Sequence, residues 1–263
     1  MLGYIGKRLL IMIPVVLAII FLVFTIVNTS PETTARLMLG IDADQESIRQ
    51  MTHDLGLDKS FLRRFAEYVV NMCKGDFGTS NRNGTPVFDD IFARFPTTFK
   101  LAVFGILLAV FAGIPIGIIS AIKQYSIIDN VSIVSALLLA SLPTFWLGLM
   151  LMLLFSVKLG WMPATGSDTL KHFILPAITV STATMAMLIR MTRSTMLELI
   201  RQDYVRTARA KGAPEKDVIF KHILRNSLLP IITIIGISFG TLLGGTIIVE
   251  SVFSLPGIES VFP

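Results

Sequence analysis

Side chains that commonly do chemistry are few and scattered in this sequence of 263 residues. The single cysteine, Cys73, cannot form a disulfide within the chain, and the three histidines, His53, His172 and His222, lack the spacing of metal ligands. The sequence also lacks a Gly-x-x-x-x-Gly-Lys-Ser/Thr motif, so it has no phosphate-binding loop for ATP. These residues indicate neither a zinc site nor a redox site, and they give no sign that the chain binds ATP itself.

Long apolar segments dominate the sequence instead. Charged residues make up 16% of the chain and hydrophobic residues 53%, whereas soluble domains carry about 25% charge. A bilayer-spanning helix needs ~20 apolar residues, and five segments meet or approach that length without Asp, Glu, Lys or Arg. They are residues 9–31, 101–122, 130–157, 172–189 and 226–249. We predict an all-α membrane protein with five spans, kinked but unbroken at their prolines.

The charges between the spans predict the topology. Residues 190–225 hold nine Lys or Arg against four acids, which favours a cytoplasmic position for this loop and for the N-terminus. This pattern also explains the net charge of +5 without nucleic acid. We divide the chain into an N-terminal anchor (1–31), an external helical segment (32–97) and a membrane core (98–263). Five spans would leave the C-terminus outside, unless a sixth span follows.

The spans carry small residues at four-residue spacing, which lets helices approach closely in lipid. Such stripes occur at Gly105, Ala109, Gly113 and Gly117, and at Gly236, Gly240 and Gly244. They would pack within this chain or against a homologous partner chain. No charged residue lies inside the predicted spans, but Ser and Thr residues there could line a neutral path or bond back to their own helices. These residues are Ser135, Ser141, Thr144, Thr179, Ser181, Thr182, Thr184, Ser238 and Thr241.

Two amphipathic helices are predicted in the external segment. One begins after Ser60 and places Phe61, Phe65 and Val69 on one face, and Gly75 follows its end. The other covers residues 87–95 and would end before Pro96. Either these helices pack on the membrane domain, or they form a docking surface for an external partner.

The cytoplasmic loop has a clear local pattern at residues 203–226. Asp203 is a candidate N-cap, Gly212 suits the left-handed position that ends a helix, and Pro214 suits the start of a second helix. The result would be two short helices joined at a protruding corner lined by small residues. Such a corner fits a groove of another protein, although a basic surface helix held by anionic headgroups would have a similar composition.

These residues resemble the coupling loop of the permease subunits of bacterial ABC importers, in the version of the dipeptide and oligopeptide family. The resemblance rests on residues 203–212 (Asp-Tyr-Val-Arg-Thr-Ala-Arg-Ala-Lys-Gly) and 222–230 (His-Ile-Leu-Arg-Asn-Ser-Leu-Leu-Pro). Further stretches match in order, and they are 75–80 (Gly-Asp-Phe-Gly-Thr-Ser), 86–87, 94–98, 142–148 (Leu-Pro-Thr-Phe-Trp-Leu-Gly), 159–166 and 249–257. The general importer pattern begins Glu-Ala-Ala, whereas Arg206, Thr207 and Ala208 stand here and the glutamate is absent. The Leu-Pro that usually follows the loop is replaced by Leu224-Arg225, with Pro230 later, as is usual in the peptide subclass.

The resemblance implies a type I ABC importer transmembrane domain over residues 98–263, with spans at about 101–122, 130–157, 172–189 and 226–249. It implies a non-enzymatic, multi-pass subunit of the bacterial plasma membrane that forms half of a peptide path. Partners would be a second permease, two cytosolic ATPases that bind ATP-Mg, and an external solute-binding protein; this chain would bind no cofactor. The family has a sixth span, so we expect one to be missing here.

The resemblance also assigns the ATPase-coupling residues, while the residues that bind substrate stay unknown. The assigned residues are Asp203, Tyr204, Arg206, Ala208, Arg209, Ala210, Gly212, Arg225 and Asn226. Other readings of the sequence stay open. Related permeases carry nickel or other metal chelates or glycans, and an ion-coupled secondary transporter could bind sodium through neutral oxygens. A membrane enzyme is disfavoured because no cluster of titratable groups appears.

Overall fold

A computed structural model describes residues 2–27, 39, 43–54, 56–80 and 84–258 of the chain. Within these residues the fold is helical, and Thr79 and Pro86 form an isolated β-bridge. The predicted end of the N-terminal anchor (28–31) and the start of the external segment (32–38) lie outside the described residues.

The helices of the described residues follow one another along the chain. In order they are α1 (Leu2–Val27), α2 (Gln45–Asp54), α3 (Phe61–Cys73), α4 (Val87–Ile122), α5 (Ile127–Ser141), α6 (Thr144–Leu151, continued by a π-helix at Met152–Lys158), a 3₁₀ turn (Leu170–Phe173), α7 (Ile174–Ile200), α8 (Asp203–Ala210), α9 (Glu215–Asp217, continued by a π-helix at Val218–Leu224), α10 (Arg225–Gly245) and α11 (Ile247–Val252). The chain divides into two compact units, Met1–Asp89 and Asp90–Pro263.

The first unit is held by aromatic packing between α1 and α3. The rings of Phe21 and Phe24 meet those of Phe61 and Phe65 with centroids 5.1 to 5.8 Å apart, and Tyr68 lies 5.3 Å from Phe24. Four of these contacts have edge-to-face angles above 60°, which aromatic pairs favour. The rings on the predicted apolar face of α3 therefore pack against α1 within this unit.

Prolines have different effects on the predicted helices. The sequence predicted that the helix at 87–95 ends before Pro96, and this prediction was wrong, because α4 continues through Pro96 and Pro115. A proline removes one backbone donor, and a long apolar helix tolerates that loss where the turns on both sides are intact. Pro14 and Pro230 also lie inside helices, as predicted.

Pro143 breaks a span that was predicted to be kinked only. Among the described residues, four helices are long and apolar enough to cross a membrane, and a fifth span results if α5 and α6 count together across a bend of 100°. Leu142 has an extended backbone with φ −75° and ψ 127°, since the residue before a proline disfavours the helical conformation. The apolar segment at 130–157 is thus a pair of helices joined by a sharp bend.

Helix α7 lies at the centre of the second unit, with 67% of its most apolar window buried. The glycine stripe of α4 packs against it: a β-carbon on Gly117 would stand 2.7 Å from Thr192 Cβ and 2.8 Å from the Ile189 carbonyl oxygen. This contact confirms that the stripe serves close packing within the chain. The stripe of α10 differs, because a β-carbon placed on Gly236, Gly240 or Gly244 would have no described heavy atom within 4 Å apart from adjacent residues and the nearby backbone of α10 itself.

Candidate functional site

The corner, meaning α8, the turn at 211–213 and α9, has the sharp reversal that the sequence predicted. Gly212 has φ +78°, a left-handed conformation that glycine adopts at little cost. One detail differs, because Gln202 occupies the N-cap position and Asp203 begins α8, where its charge favours the helix N-terminus. Pro214 precedes Glu215, the first residue of α9.

The second limb of the corner is not a short separate helix. Helix α9 passes into the π-helix Val218–Leu224 and then directly into α10, so that one apolar helical segment extends from Glu215 to Gly245. Movement of this limb would therefore be transmitted along the axis of a membrane-spanning helix. The sequence missed this continuity, because Lys221, His222 and Arg225 make the segment look like a surface helix.

An ion pair joins the two limbs of the corner. The Nε and Nη2 atoms of Arg209 donate hydrogen bonds of 3.1 and 2.7 Å to the two carboxylate oxygens of Glu215. These hydrogen bonds raise the pKa of the Arg209 guanidinium above its ordinary value. A two-pronged pair of this kind fixes an angle as well as a distance, so it holds the corner in one shape.

A second tie connects the start of α8 with the start of α10. The side-chain amide of Asn226 donates to the Tyr204 hydroxyl at 3.2 Å and to the His222 carbonyl oxygen at 2.9 Å. Tyr204 and Asn226 were both predicted to be coupling residues, and the structure brings them together within the chain.

Beneath the corner lies an apolar cluster that anchors it to the membrane helices. Val205, Val218 and Ile223 have no exposed surface, and they are grouped with Met196 of α7 and Ala121 of α4. Ala208 packs against this cluster and is half-buried. Because apolar interiors are close-packed, displacement of the corner displaces the ends of these helices.

The other predicted coupling residues face outward. They are Asp203, Tyr204, Arg206, Arg209, Ala210, Gly212, Arg225 and Asn226, all exposed. Arg206 lies 3.9 Å from Asp203, a surface pair of little energetic weight. The corner thus presents a rigid surface with mainly basic side chains and a low profile at Ala210 and Gly212.

A cavity of about 630 Å³ opens between α6, α7, α10 and α11. Its polar lining comes from Thr144, Thr184, Ser238 and Thr241, and no Asp, Glu, Lys or Arg lines it among the described residues. Other hydroxyls bond back to their helices, for example Thr179 to the Leu175 carbonyl at 2.8 Å. Thr241 does both, since it lines the cavity and its hydroxyl donates to the Ile237 carbonyl oxygen at 3.0 Å. Back-bonding is therefore observed, while the lining of a transport path by these hydroxyls stays a prediction.

Two buried charged sites were missed in the sequence. Asp129 and Arg193 pair at 2.6 Å, and both fell just outside the predicted spans. Glu250, which is 2% exposed, accepts hydrogen bonds from the hydroxyls of Thr98 and Thr246 at 2.6 and 2.8 Å. Arg193 lies 64 residues from Asp129 in the sequence, and Thr98 lies 152 residues from Glu250. No local sequence pattern therefore indicates either contact.

Comparison with known proteins agrees with this architecture. Residues 113–263 match the family described as "Binding-protein-dependent transport system inner membrane component", and residues 1–102 match the corresponding N-terminal family. The chain is 44% identical over 258 residues to the glutathione transport system permease protein GsiC of Pectobacterium atrosepticum. It is 42% identical to the proteins of the same name in Salmonella typhi and Escherichia coli (strain K12). Each match covers 98% of this chain and 84% of the relative.

Proposed function

The chain belongs to the binding-protein-dependent transport system inner membrane components of the peptide family, multi-pass permease subunits of ABC importers, and we propose from this premise that it forms half of the path for di- or oligopeptides. A second homologous permease would supply the other half. Two cytosolic ATPases would dock at the corner, and an external solute-binding protein would deliver the cargo. The N-terminus would be cytoplasmic, and ATP-Mg would be bound by the ATPases alone.

The observation that carries this proposal is the physical connection from the corner to the cavity. Outside, the corner offers an exposed surface held by Arg209 and Glu215. Inside, Val205 anchors it beside Met196, and the second limb continues into α10. Helices α7 and α10 both line the cavity. ATP-driven closure of two ATPases would therefore tilt the helices that form the cavity wall.

The lining of the cavity suits the passage of many different substrates better than the selective binding of one. Its polar groups are neutral hydroxyls, and Met187 and Met191 add flexible, polarisable surface. Such a lining imposes no strong charge preference, so discrimination between cargoes would lie mainly with the binding protein. The role of this chain is to provide the path and to couple its opening to ATP hydrolysis.

A second cargo deserves a direct test because of the names of the relatives. The three relatives described above are all named glutathione transport system permease proteins, and glutathione is itself a small peptide. Nickel or other metal chelates and glycans are further alternatives within the same architecture. A sodium-coupled secondary transporter is the alternative of a different class.

Uptake by the reconstituted complex separates these functions. Proteoliposomes with ATP inside and binding protein outside would be offered labelled dipeptides, longer peptides, glutathione, a nickel chelate or a glycan. We expect ATP-dependent uptake of peptides that requires the binding protein. If only glutathione, only a chelate or only a glycan is taken up, that compound would replace peptides as the assigned cargo. Uptake driven by a sodium gradient without ATP would contradict the assignment as an ABC importer.

A further inference from the structure

A buried ion pair ties together the cytoplasmic ends of three helices in the second unit. The Nε and Nη2 atoms of Arg193 in α7 donate to the two carboxylate oxygens of Asp129 in α5, at 2.6 and 2.8 Å. The hydroxyl of Ser120 in α4 donates to the same carboxylate. The Tyr125 backbone N–H donates at 2.9 Å. The side chain of Asp129 is 1% exposed, and that of Arg193 is 20% exposed.

The pair also fixes the turn between α4 and α5. Tyr125 has φ +65°, an uncommon conformation for a residue with a side chain, and its N–H points to Asp129. The Ser126 hydroxyl accepts a hydrogen bond from the Asp129 backbone N–H at 3.3 Å and so caps α5. One carboxylate therefore organises the end of α4, the turn and the start of α5, and Arg193 joins all three to α7.

The position of this pair links it to both ends of the proposed transport mechanism. Arg193 lies one turn before Met196, which is buried beside Val205 under the corner. Helix α5 leads through the bend at Pro143 into α6, whose first residue, Thr144, lines the cavity. Farther along the same helices, Ala136 of α5 and Ala186 of α7 are fully buried in one small apolar cluster.

Apolar contact alone would hold α5 to α7 only weakly. Within a bilayer, lipid tails are as apolar as the side chains, so helices gain little by burying such surface against each other. A two-pronged ion pair with two further hydrogen bonds has one favourable geometry, and its separation would leave a buried charge unpaired. It therefore resists relative sliding of α5 and α7 in a way that Ala136 and Ala186 do not.

We propose that Asp129 and Arg193 are positioning residues that make α5 follow α7 when the corner moves, so that cytoplasmic movement reaches Thr144 at the cavity. This inference rests on the proposed function, because it assigns a route for the same coupling. Substrate is not bound by the pair, which acts through the two helices that it joins.

The test uses the assembled importer in nanodiscs, in a Cys73→Ser background with spin labels at Ile127 and Ser194, both exposed. The variant D129N/R193Q removes both charges without leaving either one unpaired. The matched control R190Q removes one charge from the same helix, at an exposed position three residues earlier. Distances between the labels would be measured with and without a non-hydrolysable ATP analogue, together with uptake per ATP hydrolysed.

We expect one narrow distance in the wild type and in R190Q that the nucleotide leaves unchanged. In D129N/R193Q the distance should shift or broaden on nucleotide binding, and uptake per ATP should fall by about tenfold, within the usual range of coupling between sites. Unchanged distances and uptake in D129N/R193Q would overturn the proposal. So would a loss of uptake without any nucleotide-dependent change in distance, since that result indicates a structural role only.

A milder variant keeps the test decisive if the double variant fails to assemble. R193K retains the charge but not the two-pronged geometry. The proposal predicts a broadened distance and reduced uptake per ATP for R193K, and wild-type behaviour in both measurements would overturn it. Failure of the proposed function is a different result, in which the wild-type complex itself shows no ATP-dependent uptake.

Discussion

Arg209 and Glu215 form a two-pronged ion pair across the turn that Gly212 makes between α8 and α9. The pair spans six residues of sequence and closes the corner on its exposed side. Val205 closes the same corner on its buried side. If an ATPase docks at the corner, as we propose, the corner must not deform under load, and these two contacts stiffen it from both sides.

Neutralising this pair should affect coupling more than stability. The side chains are 40% and 58% exposed, so the pair contributes at most about 1 kcal/mol to the free energy of unfolding. We expect E215Q to leave thermal unfolding of the purified chain almost unchanged and to lower uptake per ATP hydrolysed. The reversed pair, R209E/E215R, should recover part of the lost uptake. Complete failure of the reversal would show that Arg209 acts by contacting the ATPase and not by bracing the corner.

Substitution of Gly212 separates backbone strain from bulk. A β-carbon at this position meets no described atom within 4 Å, but φ +78° costs a residue with a side chain about 1–2 kcal/mol. G212A should therefore reduce stability slightly and retain uptake. G212W carries the same strain and adds a large ring to the proposed docking surface, so it should abolish uptake while the chain still inserts in the membrane. Equal uptake by G212W and the wild type, in complexes of normal composition, would argue against docking at this corner.

Gly257 and Glu250 should show strongly coupled effects on stability. The Glu250 carboxylate occupies the space that a β-carbon on Gly257 would need. G257A should destabilise the chain by about 1–3 kcal/mol, as overpacking usually does. Removal of the carboxylate makes room, so the double variant E250A/G257A should be destabilised by less than the sum of the two single variants. Thermal unfolding of the four proteins measures this difference, and simple additivity would contradict the contact.

The two glycine stripes should respond differently to the same substitution. A methyl group at Gly117 would press on the Ile189 carbonyl and Thr192 of α7, so G117A should lower the free energy of unfolding by about 1–3 kcal/mol. Gly236 in α10 has open space around it, and G236A serves as the matched control. We expect G236A to leave the stability of the isolated chain unchanged or slightly higher, since alanine favours helix. Equal destabilisation by both would contradict the packing described for α4 and α7.

Local patterns predicted much of this molecule. The apolar segments, the glycine stripe of α4 and the left-handed turn at Gly212 all follow from composition and short-range spacing, and the structure confirms them. The exposure of eight of the nine predicted coupling residues agrees with their proposed role. Their contact with an ATPase stays a prediction, since it involves another chain.

Long-range features escaped the sequence for a physical reason. The pair Asp129–Arg193 joins residues 64 apart, and each residue taken alone resembles an ordinary charge at a span end. The break at Pro143 was not predictable from the proline alone, since Pro96 and Pro115 lie within α4 without ending it. The residue before each of these prolines disfavours the helical conformation in the same way, so local backbone preference does not distinguish the three.

We propose above all that this chain couples peptide delivery to ATP hydrolysis on its partners. The most direct measurement is the ATPase activity of the complete complex in nanodiscs, with and without the binding protein and a peptide mixture. We expect stimulation that requires peptide-loaded binding protein and that disappears in G212W. A complex in which no ATPase co-purifies with this chain, or in which peptide-loaded binding protein stimulates G212W as strongly as the wild type, would contradict it.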